Sequence, residues 1–261
     1  MSRLAATFAR LRREGRSGLV TYITAGDPDL PRTAGILQAL GRAGADVIEV
    51  GVPFSDPLAD GPVIQRATER ALAAGTTLSG VLALLKSLRG TLDVPIVIFS
   101  YANPILRFGA EAFADAAAEA GVDGVLVLDL PIEEAGEFRS LLAARSIDTI
   151  LLLSPTTSDA RLADAARLGS GFLYAISRLG VTGVRDTLAD GAEEMVQRIR
   201  GASTLPVALG FGISKPEHVR AVGQWADAAV VGSALVNVIA EAGHDPDLEH
   251  RVEEYVRWLK S

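Results

Sequence analysis

The residue with the clearest chemical potential is Glu49, which lies inside an apolar run typical of a β-strand. Because side chains alternate between the two faces of a strand, Glu49 shares one face with Val47 and Gly51. On a buried face an unpaired carboxylate costs several kcal/mol, and its pKa rises. Such a group suits general acid–base catalysis. Alternatively, neighbouring hydroxyls or an arginine could satisfy this glutamate, or it could turn outward at the strand end.

A second carboxylate, Asp60, follows eleven residues later in the segment 51–62, which contains three prolines and two glycines. That composition is typical of a loop that holds a defined shape, so Asp60 is a candidate catalytic partner of Glu49. However, Asp60-Gly61-Pro62 directly precedes a helical run, Val63–Ala74, and also fits a helix N-cap with proline in the first turn. The spacing alone leaves both roles open for Asp60.

Two glycine-containing turns predict a phosphate site built from backbone N–H groups. Gly210-Phe211-Gly212-Ile213-Ser214 follows the seventh strand-like run, and Gly232-Ser233 follows the eighth. Glycine lets an anion approach the backbone, and the N–H groups that begin a helix attract negative charge. Either turn alone fits an ordinary connection, but the pair after the last two strands favours phosphate binding. Ser214 and Glu217 also have capping-box spacing for the next helix.

The segment 177–188 follows the sixth strand-like run without a clear helical pattern. It exceeds the roughly 2–6 residues common in strand-to-helix connections, which is typical of a lid over a site. Gly180 and Gly183 would permit hinging, and the N–H group of Gly183 is a candidate member of the phosphate site.

The elements that must position these groups alternate regularly along the chain. Eight short runs rich in Val, Ile and Leu predict strands at Leu19–Thr24, Asp46–Val50, Ile96–Ser100, Gly124–Leu128, Thr149–Leu153, Phe172–Ile176, Val207–Leu209 and Ala228–Val231. Segments of helical period separate them, for instance Ala110–Ala120, Ile132–Ala144 and Asp159–Leu168. This alternation predicts parallel strands with crossover helices.

Eight such units in 261 residues favour an α/β fold of the (β/α)8 TIM-barrel type, with residues 1–261 as a single domain. The alternative, an open doubly wound sheet, usually carries a Gly-x-Gly-x-x-Gly turn after its first strand, and Ala25-Gly26-Asp27-Pro28 is not one. At the start of the chain, Leu4, Phe8 and Leu11 have helical spacing and predict an extra N-terminal helix across the barrel floor. Asp129 ends the fourth strand on the face of Val125, and we interpret it as a supporting group at the barrel mouth.

Composition excludes several other kinds of chemistry. The net charge of −7 provides no basic surface for nucleic acid, and the absence of cysteine excludes thiolate catalysis and disulfides. The three lysines, Lys86, Lys215 and Lys260, include no clear Schiff-base candidate, and the three histidines fall away from strand ends. No apolar run approaches the roughly 20 residues of a membrane helix, and we expect a cytoplasmic protein. With thiolate, Schiff-base and metal chemistry set aside, we expect an enzyme that uses its carboxylates without a metal or cofactor.

Seven stretches, in order along nearly the whole chain, resemble the motifs of the α subunits of tryptophan synthase: residues 24–28, 49–62, 101–104, 129–131, 174–183, 210–214 and 232–233. The second and fifth are specific to that family. The resemblance implies retro-aldol cleavage of indole-3-glycerol phosphate to indole and glyceraldehyde 3-phosphate. It also implies transfer of indole to a β subunit that carries pyridoxal phosphate, within an α2β2 complex.

The resemblance implies a role for each matching residue. Glu49 would protonate indole C3 and take the proton of the glycerol hydroxyl, Asp60 would pair with the indole N–H, and Tyr174 would steady the glycerol part. Thr182 would bring the closed lid to Asp60. The remaining substrate-binding residues would be Tyr22 and Phe211 at the indole, and Gly183, Gly212, Gly232 and Ser233 at the phosphate. Tyr22 and Phe99 depart from the residues common in the family, so details of the indole pocket differ here.

Three alternatives share parts of this pattern. A stand-alone lyase of the same fold would release free indole without a β partner. A non-catalytic barrel would bind a phosphorylated ligand and only regulate a partner, although a lumenal Glu49 argues against it. A phosphosugar isomerase on a related barrel would use the same phosphate glycines with a substrate that lacks an indole ring.

Overall fold

The computed structural model describes residues 1–176, 191–210 and 212–261. Its strands are β1 Gly18–Thr24, β2 Val47–Gly51, β3 Ile96–Ser100, β4 Gly124–Val127, β5 Asp148–Leu153, β6 Leu173–Ile176, β7 Val207–Gly210 and β8 Ala228–Val231. Its helices are α1 Arg3–Glu14, α2 Leu30–Ala43, α3 Pro62–Ala73, α4 Leu78–Leu88, α5 Ala102–Phe108, α6 Ala110–Glu119, α7 Gly136–Ala144, α8 Asp159–Leu168, α9 Ala192–Ala202, α10 Pro216–Val222, α11 Ser233–Ala242 and α12 Leu248–Leu259.

The strands pair in parallel in chain order, and β8 closes on β1 to form a barrel. The predicted (β/α)8 fold is therefore confirmed, and the ends of each predicted strand agree with the observed ones to within one residue. One predicted helix was too long: residues 132–134 form turns, and α7 begins only at Gly136.

Two apolar layers follow from the alternation of side chains along the strands. One face of each strand packs under the surrounding helices, as Ile48 and Val50 of β2 do. The opposite faces fill the lumen with Val20, Val47, Val97, Leu126, Ile150, Phe172, Tyr174, Ala208, Ala228 and Val230. The barrel interior is thus a packed core over most of its length, as in other barrels of this size.

The N-terminal helix α1 covers the floor of the barrel, as its hydrophobic spacing predicts. Leu4, Phe8 and Leu11 are buried in the lumenal cluster, and the ring centroids of Phe8 and Phe172 lie 5.5 Å apart. At the end of this helix, Arg16 donates two hydrogen bonds of 3.0 and 2.8 Å to the buried carboxylate of Asp46, which precedes β2. The floor is therefore closed, and the opposite end of the barrel is the open mouth.

The capping box predicted from Ser214 and Glu217 was wrong. Helix α10 begins at Pro216, so Lys215 rather than Ser214 occupies the N-cap position. Proline explains the shift by one residue, because it is favoured at the first helical position, where its missing N–H is not needed.

Among the described helices, none is by itself long and apolar enough to cross a membrane. The pair α3 and α4 meets those criteria of length and composition only when taken together, and it is bent by 89° at the break between the two helices.

Candidate active site

Glu49 lies on β2 beside Tyr22 of β1 and Val97 of β3, on the same strand face as the lumenal Val47. Its side chain is fully buried, and neither carboxylate oxygen has a hydrogen-bond partner among the described residues. Burial without compensation raises the pKa of Glu49 to about 8. The carboxyl group therefore holds its proton at neutral pH, which is the state required of a general acid.

Asp60 is not a helix cap. Gly61 is the N-cap of α3, with Pro62 at the first helical position. Instead, Oδ2 of Asp60 accepts a 3.1 Å hydrogen bond from the hydroxyl of Tyr101. Burial raises the pKa of Asp60 to about 6, although the hydrogen bond from Tyr101 opposes the rise. Asp60 is therefore ionised at neutral pH, unlike Glu49.

Two buried tyrosines connect the carboxylates. Burial raises the pKa of Tyr22 well above its usual value, and the nearby charges of Asp60 and Glu49 raise it further. Burial likewise raises the pKa of Tyr174, with added effects from Glu49 and Tyr22. Because each carboxylate acts on Tyr22, and Glu49 acts on both tyrosines, these four residues form one cluster.

Each of these tyrosines rests over a glycine of the next strand. A Cβ atom on Gly51 would lie 2.2 Å from the Tyr22 hydroxyl oxygen, and one on Gly210 would lie 2.5 Å from that of Tyr174. Any side chain at either glycine would displace the phenol above it, because real Cβ atoms do not approach other atoms that closely. From the sequence, Gly210 was interpreted only as part of the phosphate site. Its other role, which is to leave room for the Tyr174 ring, was not predicted.

An apolar wall stands at the mouth on the side of β3 to β6, and of its members the sequence prediction named only Phe99. Four partly buried side chains pack on top of the lumenal cluster: Phe99, Leu128, Leu152 and Ile176. Phe99 joins the tyrosines, with ring centroids 5.2 Å from Tyr22 and 6.5 Å from Tyr174. Extending the period-two alternation of the lumenal face to the end of each of these strands would have identified these positions.

The opposite side of the mouth carries the candidate phosphate site. Helix α11 begins at Ser233 with Gly232 as its N-cap, and no side chain caps its first N–H groups. Such a terminus presents N–H donors and a partial positive charge to an anion. Gly212 has φ +77°, in the left-handed region, which favours glycine in the turn after β7. Gly232 also lies next to Tyr22, since a Cβ atom there would be 3.6 Å from the Tyr22 Cβ.

Asp129 is a supporting group at the rim of the mouth, and it lies on the outer face of the barrel. Val125 and Val127 face the helices rather than the lumen, so the face that they share with Asp129 is the outer one. The exposed carboxylate of Asp129 accepts a 2.7 Å hydrogen bond from the backbone N–H of Ala102, at the start of α5. Asp129 therefore supports a neighbouring loop at the rim and does not enter the lumen.

Several expected site residues lie outside the part of the chain that the structure describes. These are Thr182, Gly183, Phe211 and the whole predicted lid, 177–188. Within the described ranges, no group of three or more histidine, aspartate or glutamate side chains is arranged to hold a metal ion. The described residues thus offer proton transfer, hydrogen bonding and an apolar wall opposite the candidate phosphate site.

Comparison with known proteins identifies the family. Residues 8–260 match the family model described as "Tryptophan synthase alpha chain". The chain is 47% identical over 260 residues to the tryptophan synthase alpha chain of Solibacter usitatus, covering 100% of this chain and 97% of the relative. It is 49% identical over 261 residues to that of Geotalea uraniireducens, with the same coverage of both chains.

Solved structures give the same result. Tryptophan synthase of Mycobacterium tuberculosis superposes with a TM-score of 0.91 at 36% identity, covering 99% of this chain and 97% of the other. The tryptophan synthase α subunit of Legionella pneumophila gives a TM-score of 0.91 at 35% identity, with coverage of 100% and 97%. The sequence motifs, the barrel and these comparisons agree, and the chain belongs to the tryptophan synthase alpha chain family.

Proposed function

We propose that this chain cleaves indole-3-glycerol phosphate to indole and glyceraldehyde 3-phosphate, with Glu49 as the acid–base group and Asp60 as the stabilising carboxylate. The observation that carries this assignment is the separation of the two pKa values, to about 8 for Glu49 and about 6 for Asp60. Between these values one carboxyl group holds a proton and the other is ionised. Two carboxyl groups with opposed environments are the usual basis for dividing acid and base roles.

The first step uses that division of charge. Glu49 donates its proton to C3 of the indole ring, which converts the ring to a cationic indolenine. The ionised Asp60 accepts a hydrogen bond from the indole N–H, and its negative charge stabilises the cation as it forms. In a buried site this interaction is much stronger than in water, and groups that stabilise developing charge typically contribute about 10²- to 10³-fold.

The second step returns the proton. Glu49, now a carboxylate, removes the proton from the hydroxyl on the glycerol carbon bonded to C3. The O–H electrons form the aldehyde C=O, the C3–carbon bond breaks, and its electron pair restores the neutral indole ring. Glu49 is again protonated, so the cycle balances without an added oxidant, metal or cofactor in this chain.

The remaining residues would bind the substrate in the gap between the two sides of the mouth. The wall of Phe99, Leu128, Leu152 and Ile176, together with Tyr22 and Phe211, would flank the indole ring. Tyr174, which lies near Glu49, would hold the glycerol hydroxyls. Backbone N–H groups of Gly183, Gly212, Gly232 and Ser233 would bind the phosphate, and Thr182 would bring the lid to Asp60.

We further propose that the chain forms one domain over residues 1–261 and acts in the cytoplasm with a pyridoxal-phosphate-bearing β chain in an α2β2 assembly. Supporting this, one structural relative is the tryptophan synthase complex of Pyrococcus furiosus, matched with a TM-score of 0.84 at 37% identity. Two large apolar side chains near the mouth, Leu58 in the loop after β2 and Leu106 on α5, are 91% and 68% exposed and offer surface for a partner.

The activity can be tested with the purified chain and indole-3-glycerol phosphate. We expect indole release by the chain alone and a higher rate when a tryptophan synthase β chain is added. The Glu49→Gln variant, assayed under the same conditions, is the negative control. A fast rate that the β chain does not change would instead identify a stand-alone lyase, and no indole under either condition would refute the proposed reaction.

The pH dependence follows from the two carboxyl groups. Activity requires ionised Asp60, so kcat/KM should rise as pH increases through about 6. It also requires protonated Glu49, so kcat/KM should fall as pH increases through about 8. A bell-shaped profile with these two limbs is expected in steady-state assays. A profile that keeps rising above the Glu49 pKa would contradict the role of Glu49 as the acid.

A further inference from the structure

Tyr101 contacts the loop that carries Asp60 at two points. Its hydroxyl donates a 3.1 Å hydrogen bond to Oδ2 of Asp60 and accepts a 3.0 Å hydrogen bond from the backbone N–H of Ala59. The side chain is buried, and its ring centroid lies 5.2 Å from that of Phe54 in the same loop. One phenol therefore holds both the backbone and the carboxylate at consecutive positions.

The backbone next to Tyr101 is itself anchored. Tyr101 is the N-cap residue of α5, and its side chain makes no capping hydrogen bond to that helix. The first N–H of α5, on Ala102, is instead bonded to Asp129 Oδ1 at 2.7 Å. On the other side, the buried Ser100 donates a 3.0 Å hydrogen bond to the carbonyl of Tyr101. These bonds leave the Tyr101 side chain free to reach across to the loop after β2.

From this geometry we propose that Tyr101 is a positioning residue for Asp60, and that Asp129 is its anchor. A brace defined by Asp60, Tyr101 and Asp129 then joins the loops that follow β2, β3 and β4. The proposal rests on the proposed function, because its purpose is to present an ionised Asp60 to the indole N–H. With Oδ2 held by Tyr101, Oδ1 is the oxygen available to the substrate.

The brace affects both the orientation of the Asp60 side chain and its ionisation. Loss of solvent disfavours the carboxylate, whereas a hydrogen bond donated to the ionised form favours it. The titratable groups around Asp60 are Tyr22 on β1, Glu49 on β2 and Tyr101 after β3, with Asp129 behind Tyr101. Of these described groups, Tyr101 is the one that donates a hydrogen bond to Asp60.

The test is the Tyr101→Phe variant, which keeps the ring and removes the hydroxyl. Because the variant loses a hydrogen bond to a charged group, kcat should fall by about 10- to 100-fold, while KM should change by less than about threefold. The acid limb of the pH profile should move upward from about 6, because the ionised form of Asp60 loses its donor. An unchanged limb together with an unchanged kcat would overturn the proposal.

The matched control is Tyr255→Phe, which removes a tyrosine hydroxyl on helix α12 that donates a 2.9 Å hydrogen bond to the carbonyl of Ser214, in the loop after β7. This variant should leave the acid limb in place. If both variants shift the limb equally, general loosening of the barrel explains the shift and the proposal fails.

Two further comparisons separate positioning from stability. In an Asp60→Asn background, Tyr101→Phe should have almost no added effect on kcat, whereas a purely structural defect would still reduce it. Asp129→Ala should lower kcat by only about two- to fivefold, since the hydrogen bond from the Ala102 N–H to Asp129 is exposed to solvent. Asp129→Asn should lower kcat less, because the amide oxygen of asparagine still accepts this hydrogen bond. If Asp60→Asn alone leaves activity intact, the proposed function fails rather than the brace.

Discussion

Replacing Glu49 with glutamine should lower kcat for indole release by about 10²- to 10⁴-fold, the usual contribution of a positioned acid–base group. Glutamine is nearly isosteric with glutamate but cannot donate and recover a proton. Neither oxygen of Glu49 has a hydrogen-bond partner among the described residues, so the exchange breaks no bond that the structure shows. The loss should therefore appear in kcat, measured by indole formation at saturating substrate.

Binding provides the internal control for this variant. Indole-propanol phosphate carries the ring and the phosphate but has no bond to cleave, so it should raise the thermal midpoint of the variant and the parent chain by similar amounts. Thr21→Val offers a matched substitution, because the Thr21 hydroxyl is also buried without a described partner but lies outside the proposed site. Thr21→Val should leave kcat unchanged. Full activity in Glu49→Gln would refute the proposed mechanism.

The same substitution should make the protein more stable at alkaline pH. The pKa of Glu49 is about 8 in the folded protein against an ordinary value of 4.5 for an exposed glutamate, so the folded state holds this proton more tightly than the unfolded state. Between these values the unfolded chain binds fewer protons, and the free energy of unfolding falls as pH rises. At about 1.4 kcal/mol per pKa unit, the cost above the folded pKa reaches about 5 kcal/mol at most.

The advantage of Glu49→Gln over the parent should therefore be smallest below the unfolded pKa and largest above the folded one. Thermal or urea unfolding of both chains over a series of pH values measures it. A constant difference across the series would show that Glu49 ionises in the folded protein as readily as in solvent. Such a result would also remove the basis for its role as an acid at neutral pH.

These two effects have one origin, the burial of an unpaired carboxyl group on a lumenal strand face. The position of Glu49 could be predicted because alternation along β2 is a local property that five residues suffice to define. For Asp129 the same reasoning gave the shared face with Val125, but alternation does not show which face points inward. The packing of Val125 against the helices decided that question.

For Asp60, the local pattern was compatible with both a cap and a catalytic group. The structure decided against the cap because Pro62 begins α3 and Gly61 takes the N-cap position. Its hydrogen-bond partner, Tyr101, is 41 residues away in the chain, so no local spacing could have identified it. The motif resemblance favoured a catalytic Asp60, but it did not indicate what holds the side chain.

The sequence by itself determined the alternation of strands and helices, the number of strands, the floor helix and the strand face that Glu49 shares with Val47. Each of these depends on periodicity or composition within a short stretch. The tertiary structure alone decided which residues meet at the mouth. It packs Tyr22 and Tyr174 over glycines of neighbouring strands, forms the apolar wall from β3 to β6, and brings Tyr101 into contact with Asp60. Closure of the barrel brings these distant residues together, and their distances depend on strand register and packing, which no local pattern encodes.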